Sequence, residues 1–280
     1  MEGHIELGRY NRLRIVKEVE FGLYLDGGAD GEILLPTRYV PANAQIDEYI
    51  EVFIYLDMEE RLIATTLVPL AQVGEFAYLE VAWVNEYGAF LHWGLMKDLF
   101  VPFREQKQKM EKGKKYMVYV HIDEESYRIM ATAKIEKYFS KEFPDYKKGE
   151  EVNIQIWQRT ELGYKAIIEN KFLGMIYNNE IFQPVHTGIK TKAYIKQVRP
   201  DAKIDLLLQK EGIQHAMDFS AILLDYIVAH EGFIPFHDKT DSEVIYETFS
   251  VSKKTFKKAV GDLYKKRQIL IEADGIRLVK

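Results

Sequence analysis

Two short stretches carry residues suited to one kind of chemistry. Phe21-Gly22-Leu23-Tyr24 and Tyr87-Gly88-Ala89-Phe90 each set two aromatic rings three positions apart around a glycine. Rings exposed on a strand can stack on unpaired bases, at about 1–3 kcal/mol per base and with little regard to base identity. The same rings serve equally well as core or cross-strand pairs, because residues i and i+3 of a strand point to opposite faces. A β-bulge at the glycine would bring both rings to one face, and the glycine would leave the surface open between them.

Two basic runs offer the complementary chemistry, attraction of phosphate. Within 103–116, Arg104, Lys107, Lys109, Lys112, Lys114 and Lys115 stand against Glu105 and Glu111. That run falls where a small barrel joins its third and fourth strands, beside Tyr87 and Phe90. Within 252–267 seven basic residues face one acidic residue, with Lys253, Lys254, Lys257 and Lys258 on the first half of an expected helix. Either run is also explained as a solvated surface. Arg, Asn and Gln, the side chains that read base edges in pairs of hydrogen bonds, are scarce on that helix, so backbone contact is expected there rather than base reading.

Catalytic and metal-binding patterns are missing. The chain contains no G-x-S-x-G, P-loop or H-E-x-x-H. His230-Glu231 and His237-Asp238 do not have the spacing of a site on one helix, and they fit a helix end and a loop. The segment 26–31, DGGADG, opens like a calcium loop but has Gly28 at the third ligand position and Thr37 where the closing glutamate belongs. A turn is expected. No catalytic residue, metal or cofactor is assigned.

The elements that must hold these residues can be read from periodicity. Over 5–210, runs of Val, Ile, Leu, Tyr and Phe are split by Gly, Asn, Pro and Asp-Gly signals, the pattern of short strands in small barrels. The segment IEVFIYLDMEERLIATT (50–66) repeats as YMVYVHIDEESYRIMATA (116–133), and a weaker third copy runs through 162–182 and 191–208. In that copy Gly163 and Gly174 correspond to Gly22 and Gly31, while Leu162 and Lys165 replace the aromatics. A period this long suits a tandem of whole domains rather than a solenoid. After 212 the period becomes helical. An apolar run closing on Gly232 is followed by a short helix capped by Asp241 or Ser242. A helix capped by Ser252 then buries Phe256, Val260 and Leu263, and a hairpin turns on Asp274-Gly275. Three helices and a hairpin are the order of a winged helix-turn-helix.

Composition narrows the setting. With 280 residues and 47% apolar side chains the chain can form several cores. It has no cysteine, which fits a reducing compartment. The start lacks a signal-peptide pattern, and the longest apolar stretch, 221–229, is broken by Asp225. A cytoplasmic protein that does not enter the membrane is expected. The net charge of −5 comes almost wholly from 1–72, where 13 acidic residues meet 6 basic ones, so the overall sign does not argue against an anionic partner.

The two aromatic-glycine-x-aromatic motifs, with their strand–turn–strand context, resemble the S1 RNA-binding domain, a five-stranded OB-type barrel. Three such barrels followed by a winged helix resemble the conserved virulence factor B (YitL) family of bacterial RNA-binding regulators. The resemblance covers nearly the whole chain and departs in two respects. Leu34 and Phe100 stand where many S1 domains carry a histidine on the third strand, and the third copy lacks its aromatics.

The expected fold is mainly β: barrels over 1–70, 71–139 and 140–212, the last degenerate, and a winged helix over 213–280. The expected function is non-enzymatic binding of single-stranded RNA, with post-transcriptional regulation implied by the resemblance. The second barrel is expected to be the principal contact, since it alone joins aromatics to a basic flank. Two other readings compete. One is a DNA-binding winged-helix regulator. The other is a ribosome-associated scaffold whose acidic first barrel faces a basic ribosomal protein. Oligomeric state is not legible.

Overall fold

In the computed structural model the strands are built as the alternation predicts. The structure describes residues 4–181, 184–209, 214–237, 239–249 and 251–279. They gather into two compact units, 1–139 and 140–280.

The first unit holds two closed barrels. One consists of β1 (Tyr10–Val19), β2 (Gly22–Asp26), β3 (Glu32–Pro36), β4 (Tyr49–Leu56) and β5 (Leu62–Thr65), in the order β1-β2-β3-β5-β4. The other repeats that order with β6 (Phe76–Val84), β7 (Gly88–Leu91), β8 (Leu99–Pro102), β9 (Lys115–Ile122) and β10 (Ile129–Thr132). Closure leaves no open edge, and the third and fifth strands of each barrel pair in parallel.

Strand β4 joins the two barrels. From Val52 on, its sequence, VFIYL, is apolar at both parities, so both of its faces can be buried there. Val52 and Ile54 enter the core of the first barrel. Phe53 and Tyr55, on the opposite face, enter the core of the second. Phe53 meets Trp93 edge-on, with ring centroids 5.6 Å apart, and Trp93 Nε1 donates to the Ala71 carbonyl at 2.7 Å. Burying a large apolar side chain is worth about 1.5–3 kcal/mol. This face therefore binds the barrels firmly together.

The second unit contains a third closed barrel with the same topology: β11 (Glu151–Thr160), β12 (Gly163–Ile168), β13 (Phe172–Tyr177), β14 (Lys190–Val198) and β15 (Ile204–Leu207). It also contains α1 (Gln214–Ala229), β16 (Phe233–Ile234), α2 (Ser242–Phe249), α3 (Lys253–Lys265), β17 (Ile269–Ile271) and β18 (Ile276–Leu278). The expected hairpin gains a third strand, in the order β16-β18-β17. Ser252 caps α3 by accepting from Thr255 N–H at 3.2 Å, and the Asp241 side chain accepts from Glu243 N–H ahead of α2. Phe256, Ala259 and Leu263 are buried, with Val260 packed beside them.

Three expectations are corrected here. No bulge forms at the motif glycines. The bulge lies on the preceding strand of each barrel, where the register shifts between Ile15 and Lys17, Val81 and Trp83, and Ile156 and Gln158. Phe21 reaches the side of Tyr24 because it sits in the turn before β2. The glycines do not open the surface either; Gly22 and Gly88 are buried and paired with Pro36 and Pro102. A Cβ at Gly22 would lie 2.1 Å from the Leu35 carbonyl oxygen, and one at Gly88 2.3 Å from that of Val101. They admit the backbone of the third strand. Finally, Gly174 lies inside β13, paired with Ala166, and is not the counterpart of the turn residue Gly31.

Candidate nucleic-acid interface

The site of the second barrel is built by register. The bulge before Trp83 turns this side chain outward and sets it opposite Phe90, which in turn lies opposite Phe100. Three adjacent strands, β6, β7 and β8, thus contribute one ring each to a ladder. Trp83 and Phe90 lie face to face, centroids 3.6 Å apart and planes 4° from parallel; Phe90 and Phe100 are 4.8 Å apart at 35°. Trp83 ends the ladder and is 43% exposed. Its Nε1 donates to Asp98 Oδ2 at 2.9 Å, which fixes the plane of the indole. Tyr87 stands in the hairpin turn, 67% exposed. The turn is held by Asn85 Oδ1, which accepts from the N–H groups of Tyr87 and Gly88.

The ladder forms one side of a groove of about 940 Å³. Barrel two supplies Tyr87, Phe90, Met96, Phe100 and Arg104, while barrel one supplies Tyr55, Leu56, Met58 and Glu60 from β4 and the turn after it. That turn is tied down across the barrels. Glu60 pairs with Lys97 at 3.3 Å and Arg128 at 3.1 Å, and Lys97 Nζ also donates to the Asp57 carbonyl at 2.8 Å. Burial pushes the Asp57 carboxyl up, but hydrogen bonds from Arg61 and from the Glu59 N–H outweigh it and hold the group below the usual range. Hydrogen bonds from the Ser126 hydroxyl and N–H, with Arg104 nearby, do the same for Asp123 at the groove margin.

The basic residues of 103–116 are largely neutralised. Arg104 pairs with Asp123, Lys107 with Glu136, Lys114 with Glu111 and Lys115 with Glu80. Lys109 and Lys112 are exposed and carry no ion pair among the described residues. Of the six, Arg104 lines the groove. Gly113 N–H donates to the Val81 carbonyl and Val81 N–H to that of Lys114, which continues the β6–β9 pairing and carries this end of the connection along β6 on the side away from β7.

The same cross-strand row differs in the other barrels. Barrel one aligns Lys17, Tyr24 and Leu34. Phe21 and Tyr24 meet edge-on at 6.3 Å, and Lys17, ion-paired to Glu32, covers the Tyr24 ring at 4.6 Å. Barrel three aligns Gln158, Lys165 and Met175, with Lys165 Nζ 5.3 Å from the Trp157 ring centre and Leu162 exposed in the preceding turn. Its buried Asp205 accepts from Gln197 and Arg199, and Arg199 donates to the Tyr177 hydroxyl at 2.8 Å. Polar and aliphatic side chains stand where barrel two has rings.

On α3, Lys254, Lys257 and Lys258 are exposed and Lys253 is half-buried near α2. Lys254 and Lys257 have no ion pair among the described residues. The metal-like pairs resolve into structure: the His230 ring stacks on Tyr226 at the end of α1, and His237 Nδ1 accepts from Lys239 N–H. Asp238 lies outside the described residues. The 26–31 segment is a turn closed by Gly27 N–H donating to the Gly31 carbonyl at 2.8 Å. No group of three or more His, Cys, Asp or Glu among the described residues is placed to hold a metal ion, and no helix among them is long and apolar enough to cross a membrane.

Sequence reasoning missed Trp83, Met58 and the pairing role of Phe100. The signal for Trp83 was the hairpin itself, whose tight turn on Asn85 brings Phe90 back beside it.

The fold and site define a class: a tandem of OB-type barrels with a winged helix, a protein assembled from nucleic-acid-binding domains rather than enzyme folds. Residues 7–67 match the S1 domain and residues 221–278 the CvfB-like winged helix domain. The particular likeness is to bacterial proteins, two of which illustrate it. The chain is 28% identical over 276 residues to the uncharacterized protein YitL of Bacillus subtilis, covering 95% of this chain and 91% of that one. It is 25% identical over 272 residues to Conserved virulence factor B of Staphylococcus haemolyticus, covering 94% and 91%. The resemblance read from the sequence is borne out. Among solved structures, a multidomain protein with nucleic acid binding domains from Streptococcus pneumoniae matches at 22% identity and a TM-score of 0.43, covering 98% of both chains.

Proposed function

We propose that this protein binds single-stranded RNA without catalysis and acts in the cytoplasm as a post-transcriptional regulator. The observation that carries the reading is the Trp83–Phe90–Phe100 ladder opening into a groove. A flat, partly exposed indole backed by two further rings is a stacking surface for unpaired bases. Paired bases offer no free faces to it. Barrel two is the principal base contact. Barrel one has rings, but Lys17 covers one of them and the segment 1–72 carries 13 acidic residues against 6 basic ones; barrel three presents Lys165 and Leu162 instead.

Phosphate attraction belongs chiefly to α3, where Lys254 and Lys257 have no carboxylate partner among the described residues, with Lys109 and Lys112 assisting beside the ladder. The same α3 surface supports a second reading, contact with duplex DNA through its backbone. Fluorescence anisotropy at fixed salt, comparing unpaired RNA, hairpin RNA and duplex DNA, separates the two. Unpaired RNA should bind tightest. Trp83→Ala or Tyr87→Ala should cost about 1–3 kcal/mol, and Phe21→Ala clearly less. Equal or tighter binding of duplex DNA would overturn the RNA reading.

A further inference from the structure

The groove beside the ladder has the wrong charge for phosphate. Among the described residues its cations are each engaged: Lys97 and Arg128 with Glu60, and Arg104 with Asp123. Its margin also carries the carboxylates Asp98 and Glu125. What it offers is apolar surface and flat rings. Met58 lines the same groove from barrel one and is 83% exposed at the tip of the turn that Glu60 ties down. Thioether sulfur makes favourable contacts with aromatic rings, nucleobases included, and its flexible chain adapts to different ring shapes.

Resting on the reading above, we propose that the groove takes the bases of an unpaired strand and excludes its phosphates, and that barrel one completes the site through Met58. The base inserts between the rings of barrel two and the thioether of barrel one, and the strand's backbone stays outside. Two consequences separate this arrangement from phosphate tracking. Binding through the groove releases no counterions, so removing a groove side chain lowers affinity equally at every salt concentration. The inserted base also lies against Trp83, the exposed indole among the three tryptophans, since Trp93 and Trp157 are 3% and 7% exposed.

The test uses the full chain and a short oligoadenylate, with anisotropy over a salt series and tryptophan emission as readouts. Met58→Ala should weaken binding about two- to tenfold and leave the slope of log affinity against log salt unchanged. Met58→Leu, which keeps an apolar wall, should recover most of the loss. Emission should be quenched on binding, and Trp83→Phe should abolish the quenching. Unchanged affinity in Met58→Ala, or a flattened salt slope, would overturn the proposal. Binding with no change in emission would place the strand elsewhere and also overturn it, while single-strand binding itself would stand. Failure of the parent protein to bind the oligoadenylate would bring down both readings.

Discussion

At the scale of single residues, the motif that drew attention to this face was read correctly in position and wrongly in part of its mechanism. The aromatic-glycine-x-aromatic spacing marks the second strand of barrels one and two. Its glycine, however, serves the backbone of the third strand rather than an incoming base. Gly88→Ala should therefore destabilise the fold by about 1–3 kcal/mol, because its Cβ would meet the Val101 carbonyl oxygen at 2.3 Å. Urea unfolding followed by circular dichroism checks this. A variant as stable as the parent would show that the third strand can yield. Trp83 and Phe100 escaped the motif because they lie on other strands. Such rows become visible once register is known, and register here depends on a bulge that no residue type announces.

Among the elements, both basic runs were legible, but their weights were not. Charge in the 103–116 connection looked dense because its partners Glu80, Asp123 and Glu136 lie far away in sequence and close in space. The lysines of α3 meet no such neighbours at Lys254 and Lys257, since Asp262 on the same helix is taken by Lys266 at 2.8 Å. Lys254→Ala, Lys257→Ala and Lys258→Ala together should flatten the salt dependence of RNA binding, by about 0.7 in the log–log slope for each phosphate no longer neutralised. The helix should survive, since Phe256, Ala259 and Leu263 hold its buried face. Anisotropy across a salt series measures the slope. No change would reduce these lysines to a solvated surface.

For the whole molecule, the tandem of barrels could be read from the long repeat, whereas the fusion of the first two could not. The run VFIYL in β4 looked like an ordinary strand with one core face. Its lack of polar residues at either parity was the available sign of burial on both sides. Because Phe53 is fully buried in the neighbouring barrel's core, Phe53→Ala should cost about 3–5 kcal/mol. It should weaken both barrels at once. Urea titration monitored by Trp93, the ring that Phe53 touches, reads the loss. A cost below about 1 kcal/mol would show that the barrels stand independently.

This sharing of β4 has a consequence for how the chain is made. The residues of barrel one leave the ribosome before those of barrel two. Until β10 follows at residues 129–132, Phe53 and Tyr55 face water on the outside of an otherwise finished barrel. At roughly 5–20 residues per second that interval lasts on the order of several seconds. For that time the nascent chain displays an aromatic strip suited to capture by a chaperone or by another nascent copy. A sequence that gives its mature form a rigid groove thus gives its newborn form a sticky face.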